Sequence, residues 1–177
     1  VFEICGISNL SRTTESSSET KYYNNVPALV VESTGSDTVT CSVSGVPLDV
    51  LAKITGMKYD ETLGALIEGE RESKYFALGY KTKKTNGDEV YVWRFKGKFN
   101  IPDSTHATQT AGTESNGQEV TYTGISTSHF FKKTGKTAKA INVDLGAGKA
   151  DVSTFFDSVT TIDDLVSTMP ASILKVM

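Results

Sequence analysis

The densest pattern in the chain runs through residues 75–99, where apolar and polar positions alternate on both sides of Asn86-Gly87. Period-two alternation marks a half-buried strand. Asn-Gly between two such runs signals a hairpin, because a type I′ turn needs positive φ at both central residues. A two-residue loop there pairs Lys84 with Glu89, Thr82 with Tyr91, Tyr80 with Trp93 and Leu78 with Phe95. In that register Phe76, Leu78, Tyr80, Tyr91, Trp93 and Phe95 share an apolar core face. Ala77, Lys81, Lys83, Val90, Val92, Arg94, Lys96 and Lys98 share the other. A slip of one residue would exchange the two faces.

Weaker patterns flank this hairpin. Residues 1–10 read as a strand, and residues 11–20, rich in Ser and Thr without periodicity, as a loop or mobile segment. Residues 28–32 read as a short strand and 33–37 as a turn. Residues 38–44 alternate cleanly, with Val39, Cys41 and Val43 on one face. A short helix follows: Pro47 suits its first position, Asp49 its first turn, and Gly56 its stop. Leu48, Leu51, Ala52 and Ile54 make a narrow apolar stripe for a helix laid on a sheet.

Residues 57–73 form a connection carrying Asp60, Glu61, Glu68, Glu70 and Glu72. Residues 100–117 are polar throughout and too long for an ordinary connection, which marks a functional or disordered segment. Residues 118–128 and 140–145 read as strands, with a basic turn region over 129–139 between them. Asp151 can cap a short helix carrying Val152, Phe155, Phe156 and Val159. A weakly patterned tail, broken by Pro170, ends the chain.

Composition sharpens the class. Of 177 residues, 23 are Thr and 18 Ser, a bias toward half-buried strands and turns that indicates a mainly-β fold. The length suits one domain of ordinary size, taken as residues 1–165 with a tail at 166–177. A net charge of -3 argues against a protein that grips nucleic acid, which needs a basic face. No run of 18 apolar residues occurs, so no membrane insertion is expected. No signal-peptide pattern is visible, and the start at Val1 rather than Met leaves the native N-terminus outside the reading. Cys5 and Cys41 read as two buried free thiols rather than a disulfide framework.

Candidate chemistry adds little. His106 and His129 have no Cys, Asp or Glu at metal-ligand spacing and read as surface residues, so no metal site is assigned. Residues 134–137 (TGKT) echo a phosphate-binding loop, but Phe130 stands where its first glycine belongs. Residues 146–149 (GAGK) lack the third glycine of a dinucleotide fingerprint and read as a turn. The carboxylates of residues 60–72 read as a solvated loop, and no nucleophile-elbow pattern is present. The expectation is a non-enzyme without catalytic residues or cofactors.

The order of the pieces resembles a known family. The run KYYNNVPALVVESTGSDTVTCSVSGVPLDVLAKITGMKYD is similar to phage major tail proteins, the tail tube subunits of long non-contractile tails. There a strand and a variable polar loop precede an aromatic-Asn segment, here Tyr22-Tyr23-Asn24-Asn25. A T-x-T-x-x-V strand leads into a Pro-Leu-Asp-Val-Leu helix ending at Gly, here residues 47–56. The aromatic hairpin, a hairpin-end segment at residues 99–103 and a Gln/Glu-containing strand, GQEVTYTGIST, complete the likeness over about residues 1–165. Its opening strand would lie ahead of Val1.

The resemblance implies two packed antiparallel sheets, sandwich- or barrel-like, with one short flanking helix. It implies hexameric rings stacked into a tube through which viral DNA passes without specific binding. The partners would be further copies of the chain and other tail proteins such as the terminator, tape measure and baseplate. The place would be the virion tail, assembled in the bacterial host cytoplasm. Subunit contacts are expected at Tyr22, Tyr23, Asn24, Ile101, Asp103, Thr105, His106, Thr108, Gln109 and Thr110. The loop over 100–117 would order on the next ring, and the basic strip of Lys81, Lys83, Arg94, Lys96 and Lys98 would face away from the lumen. The alternative is a secreted or surface β-sandwich that binds carbohydrate or protein. Exposed aromatics on one sheet face would favour it, whereas the hairpin aromatics here fall on the expected core face.

Overall fold

The structure, a computed structural model, describes residues 1–4, 6–102 and 117–168. It is mainly β. The strands are β1 (Ile7–Tyr23), β2 (Val26–Val43), β3 (Lys58–Asp60), β4 (Ala65–Ile67), β5 (Phe76–Lys83), β6 (Glu89–Phe99), β7 (Gln118–Ile125) and β8 (Ala140–Asp144), with one α-helix, α1 (Leu48–Thr55). Six strands make an antiparallel sheet in the order β1-β2-β7-β6-β5, with β8 on β6, and β3 and β4 make a second, two-stranded sheet. Contacts divide the chain into two compact units: Ile4–Lys74 with Lys98–Ile125, and Val1–Glu3 with Tyr75–Gly97 and Ser126–Met177.

In the unit that begins at Ile4, the alternation read over residues 38–44 holds. Val39, Cys41 and Val43 are buried, between half-buried Thr38, Thr40 and Ser42. They meet β7 in the register Val39↔Tyr122 and Cys41↔Val120, and Tyr122 and Val120 are almost fully enclosed. The Cys41 thiol is free and buried; Cys5 lies outside the described residues.

The helix forms where expected with two adjustments. Pro47 is the extended N-cap (φ -57, ψ 142), so helical geometry starts at Leu48. The buried side is Val50, Ala52 and Ile54, while Leu48 is exposed. Gly56 closes the helix in the left-handed region at φ 75, donating its N–H to the Ala52 carbonyl at 2.8 Å. Only glycine fits, because a Cβ there would lie 2.0 Å from the Glu72 carbonyl oxygen. The Glu72 N–H in turn donates to the Gly56 carbonyl at 3.0 Å.

Two expectations fail in this unit. Residues 11–20 are not a loop but the middle of β1, and residues 33–37 are not a turn but part of β2. Residues 11–20 are exposed apart from half-buried Thr14, and residues 33–35 are exposed before half-buried Ser36 and buried Asp37. A strand with no buried face has no apolar alternation to display, so the periodic signal vanishes while the backbone pairing remains.

In the other unit the hairpin forms, but one residue away from the expected register. β5 and β6 pair Lys83↔Glu89, Thr82↔Val90, Lys81↔Tyr91, Tyr80↔Val92, Gly79↔Trp93 and Leu78↔Arg94. The turn explains the slip. Gly87 N–H donates to the Lys84 carbonyl at 3.0 Å and Lys84 N–H to the Asp88 carbonyl at 2.8 Å, so the loop has three residues. Gly87 has φ 92, whereas Asn86 does not have positive φ and instead accepts the Asp88 N–H on its side chain. This is a type I turn closed by a glycine bulge rather than a type I′ turn.

The slip moves Tyr80 and Leu78 off the Trp93 face and puts Gly79 opposite Trp93. The absence of a Cβ is required there, since one would lie 2.8 Å from indole carbons. The slip also divides the supposed basic strip: Lys81 and Lys83 share a face with Tyr91 and Trp93, and Arg94 shares one with Leu78. Lys81 Nζ sits 4.9 Å above the Tyr91 ring, and Arg94 is buried.

The core of this unit gathers around Trp93, Val143 and Phe155, with Tyr91, Phe95, Ile141, Phe156 and Leu165 packed against them. Trp93 Nε1 donates to the Phe155 carbonyl at 2.8 Å, and the Thr160 hydroxyl donates to the same oxygen at 2.9 Å. The helix expected after Asp151 is a series of turns. Its aromatic residues point inward, and Asp151 accepts the Ser153 N–H as a local turn rather than a helix cap. Residues 145–147, in the GAGK turn region, form one turn of 3-10 helix with Gly148 beyond it at φ 60.

Candidate assembly interface

β7 covers β2 only from Asp37 to Val43. Beyond the Thr14↔Asp37 pair, β1 and β2 continue as a two-stranded ribbon in the register Ser16↔Thr34 through Lys21↔Leu29 to Tyr23↔Val26. At about 3.3 Å per residue this ribbon extends roughly 30 Å. Its tip is Asn24-Asn25, with φ of 51 and 61. Positive φ at both positions is the signature of a two-residue type I′ turn, and Asn is among the few non-glycine residues that tolerate it.

Polar side chains stitch the ribbon across its width. The Ser17 and Ser33 hydroxyls meet at 2.7 Å. The Glu15 carboxylate accepts from the Ser36 hydroxyl at 2.8 Å and from its N–H at 3.2 Å. Glu19 and Lys21 form an ion pair. None of these buries apolar surface, and a lone two-stranded ribbon in water is marginal.

Yet this ribbon carries Tyr22, Tyr23, Val26, Leu29, Val30 and Val31, each 46–66% exposed. β1 is an edge strand of its sheet. An edge of this length with apolar side chains is a template for pairing with another chain.

Of the expected contact residues, Tyr22, Tyr23 and Asn24 come together at the ribbon tip. Ile101 lies apart from them, 45% exposed just after β6, in a shallow groove with Ile54, Thr55, Arg71 and Phe99. Asp103, Thr105, His106, Thr108, Gln109 and Thr110 lie outside the described residues, as does most of the 100–117 loop. The exposed ribbon adds Asn25, Val26, Leu29, Val30 and Val31 to this candidate surface, none of which the sequence reading includes. The signal available for them was an apolar run directly after two asparagines able to adopt positive φ.

The groups with perturbed protonation serve local structure. Asp163 accepts the Lys132 and Lys133 N–H groups at 2.8 and 2.9 Å, and these backbone bonds hold its carboxyl below the usual carboxylate range. Lys84 does the same for Asp144 through a side-chain hydrogen bond. Among the described residues, no group of three or more His, Cys, Asp or Glu could hold a metal ion. His129 is exposed, its ring 5.0 Å from that of Phe131. No helix among the described residues is long and apolar enough to cross a membrane.

Among the described residues this geometry gathers exposed apolar surface on a long sheet edge. The chain belongs to the phage tail tube protein family, whose model matches residues 4–161. The family is one of structural virion proteins of the phage tail, not of enzymes. No curated protein and no solved structure matches the chain.

Proposed function

We propose that the chain polymerises as hexameric rings stacked into a tail tube that conducts the genome, with the β1–β2 ribbon as its main intersubunit element. The observation that carries this reading is the ribbon itself, roughly 30 Å of two-stranded sheet with apolar side chains that nothing among the described residues covers. A neighbouring copy supplies the missing cover through strand pairing and burial of Tyr22, Tyr23, Leu29 and Val31. The Ser- and Thr-rich surface and net charge of -3 suit a conduit that must not hold phosphate. Assembly in the host cytoplasm, contacts with terminator, tape measure and baseplate proteins, and ordering of the 100–117 segment on the next ring belong to the same reading.

Negative-stain microscopy of the purified protein tests it. Rings or tubes of uniform width are expected, and they are expected to disappear in Tyr22→Ser/Leu29→Ser/Val31→Ser protein that keeps its circular dichroism and melting temperature. Protein that stays monomeric at high concentration, or tubes unaffected by the triple change, would overturn the role given to the ribbon.

A further inference from the structure

Two other protrusions carry large apolar side chains in water, and each is rigidly built. The first is the β3–β4 hairpin, paired Lys58↔Ile67, Tyr59↔Leu66 and Asp60↔Ala65. Asp60 Oδ1 accepts the N–H groups of Thr62 and Leu63 at 2.9 and 3.0 Å, and Gly64 turns the chain at φ 64. This fixes Leu63 at the tip with 78% of its surface exposed, and Ile67 at the base of the same hairpin is 49% exposed. Exposed Glu61, Glu68 and Glu70 surround them in the sequence, while Glu72 is engaged by Lys74.

The second protrusion is the turn closed by the Phe131↔Lys136 bridge. Phe131 is buried against Phe95, which leaves its neighbour Phe130 68% exposed. Asp163 clamps the turn backbone, and Lys133 Nζ is held by the Leu165 carbonyl. Lys132 and Lys136 are exposed.

We infer that the Leu63 protrusion of one copy docks against the Phe130 turn of a second copy. Apolar anchors meet at the centre, and Glu61, Glu68 and Glu70 face Lys132 and Lys136 around them. The two patches are different, so the contact is head-to-tail, the kind that closes rings or propagates filaments. Each is an exposed apolar side chain on a backbone fixed by hydrogen bonds, so little ordering cost attends docking. The net signs of the surrounding charges are opposite, since Glu61, Glu68 and Glu70 outnumber exposed Lys58 and Arg71, which steers association and fixes register. The inference rests on the reading that the chain polymerises, and adds a second contact separate from the ribbon.

A charge exchange tests it. One variant carries Glu61→Lys, Glu68→Lys and Glu70→Lys; the other carries Lys132→Glu and Lys136→Glu. Each alone faces like with like, and its critical concentration for assembly should rise about tenfold or more, given the cost of juxtaposed like charges. An equal mixture restores opposite signs at every contact between unlike variants. It should assemble again and associate in analytical ultracentrifugation, with an affinity that falls in high salt. Variants that assemble like the wild type, or a mixture that associates no better than its components, would overturn the inference. The two readings separate cleanly. Wild-type tubes with unaffected variants would sink only the docking contact, whereas wild-type copies that associate without forming rings or tubes, and lose that association in each variant alone, would sink only the tube.

Discussion

Replacing Trp93 by alanine tests the observed hairpin register at its most heavily packed point. The indole is 4% exposed, lies on Gly79 and packs beside Phe156 with ring centroids 5.8 Å apart. Burying an aromatic side chain removes about 150–250 Å² from water, an upper bound of roughly 4–6 kcal/mol at about 25 cal/mol per Å². Core Trp→Ala changes cost about 3–5 kcal/mol once partial collapse of the cavity is included. The lost Nε1 hydrogen bond contributes about 0.5–1.5 kcal/mol. Its acceptor is not orphaned, because Thr160 still donates to the Phe155 carbonyl.

The expected loss is therefore about 4 kcal/mol, or roughly 8–16 °C in melting temperature for a chain of this size. Trp93→Phe keeps the aromatic filling and should lose only about 1–2 kcal/mol. Urea unfolding followed by far-ultraviolet circular dichroism measures both variants. Because Trp93 is the chain's one tryptophan, wild-type fluorescence reports the same site, with blue-shifted native emission that moves red on unfolding. A loss below about 1 kcal/mol for Trp93→Ala, or native emission typical of indole in water, would refute the packing described.

Gly79→Ala places a methyl group against the indole and should cost about 1–3 kcal/mol in the same titration; an unchanged midpoint would show that the ring is not held there. Gly56→Ala meets both the left-handed backbone and the Glu72 carbonyl, so about 2–4 kcal/mol is expected, and a neutral result would disprove the close approach. Asp163→Asn should release the 131–136 turn, seen as faster amide exchange at Lys132 and Lys133. Because the folded Asp163 carboxyl lies below its usual 3.8, its contribution is complete above that pH and fades as pH falls below it. The acid slope of the melting temperature should therefore be shallower in Asp163→Asn, and identical slopes would contradict the assignment. Asn24→Gly/Asn25→Gly should preserve the ribbon turn, whereas Asn24→Val/Asn25→Val should disrupt it, read as a selective change in amide exchange at the ribbon; equal behaviour of the two pairs would argue against a type I′ turn.

The mainly-β class, the helix ending at Gly56 and the β5–β6 hairpin were legible because each has a buried side that stamps a period on the sequence. Register was not. Asn86-Gly87 suits a two-residue type I′ loop and a three-residue bulged loop alike, and choosing between them shifts the pairing by one residue. Residues outside the turn gave no veto, since aromatic and aliphatic side chains occupy alternating positions on both faces of β6. The ribbon was hidden for the opposite reason. The run SRTTESSSET has no core to face, so its strand character resides in backbone pairing that a hydrophobicity pattern cannot register. Its tip stands out in the sequence for the tyrosines and Asn24, while residues 28–32 read only as a short strand. The Phe155 region has an apolar spacing that fits a helix, but its backbone makes only successive tight turns.

The ribbon's independence from the core makes its length an evolvable quantity. Inserting two residues into each strand keeps every side chain on its face and adds about 7 Å of reach. No packed side chain elsewhere need change, so such a lineage step meets little resistance from folding. A single residue added to one strand is absorbed as a bulge, and β1 and β2 already contain three register shifts, between Ile7 and Asn9, Thr14 and Ser16, and Lys21 and Tyr22. Related chains can therefore diverge in the span of this arm while the buried strands beside β7 stay fixed, and the spacing between successive partners becomes something natural selection can adjust in small increments.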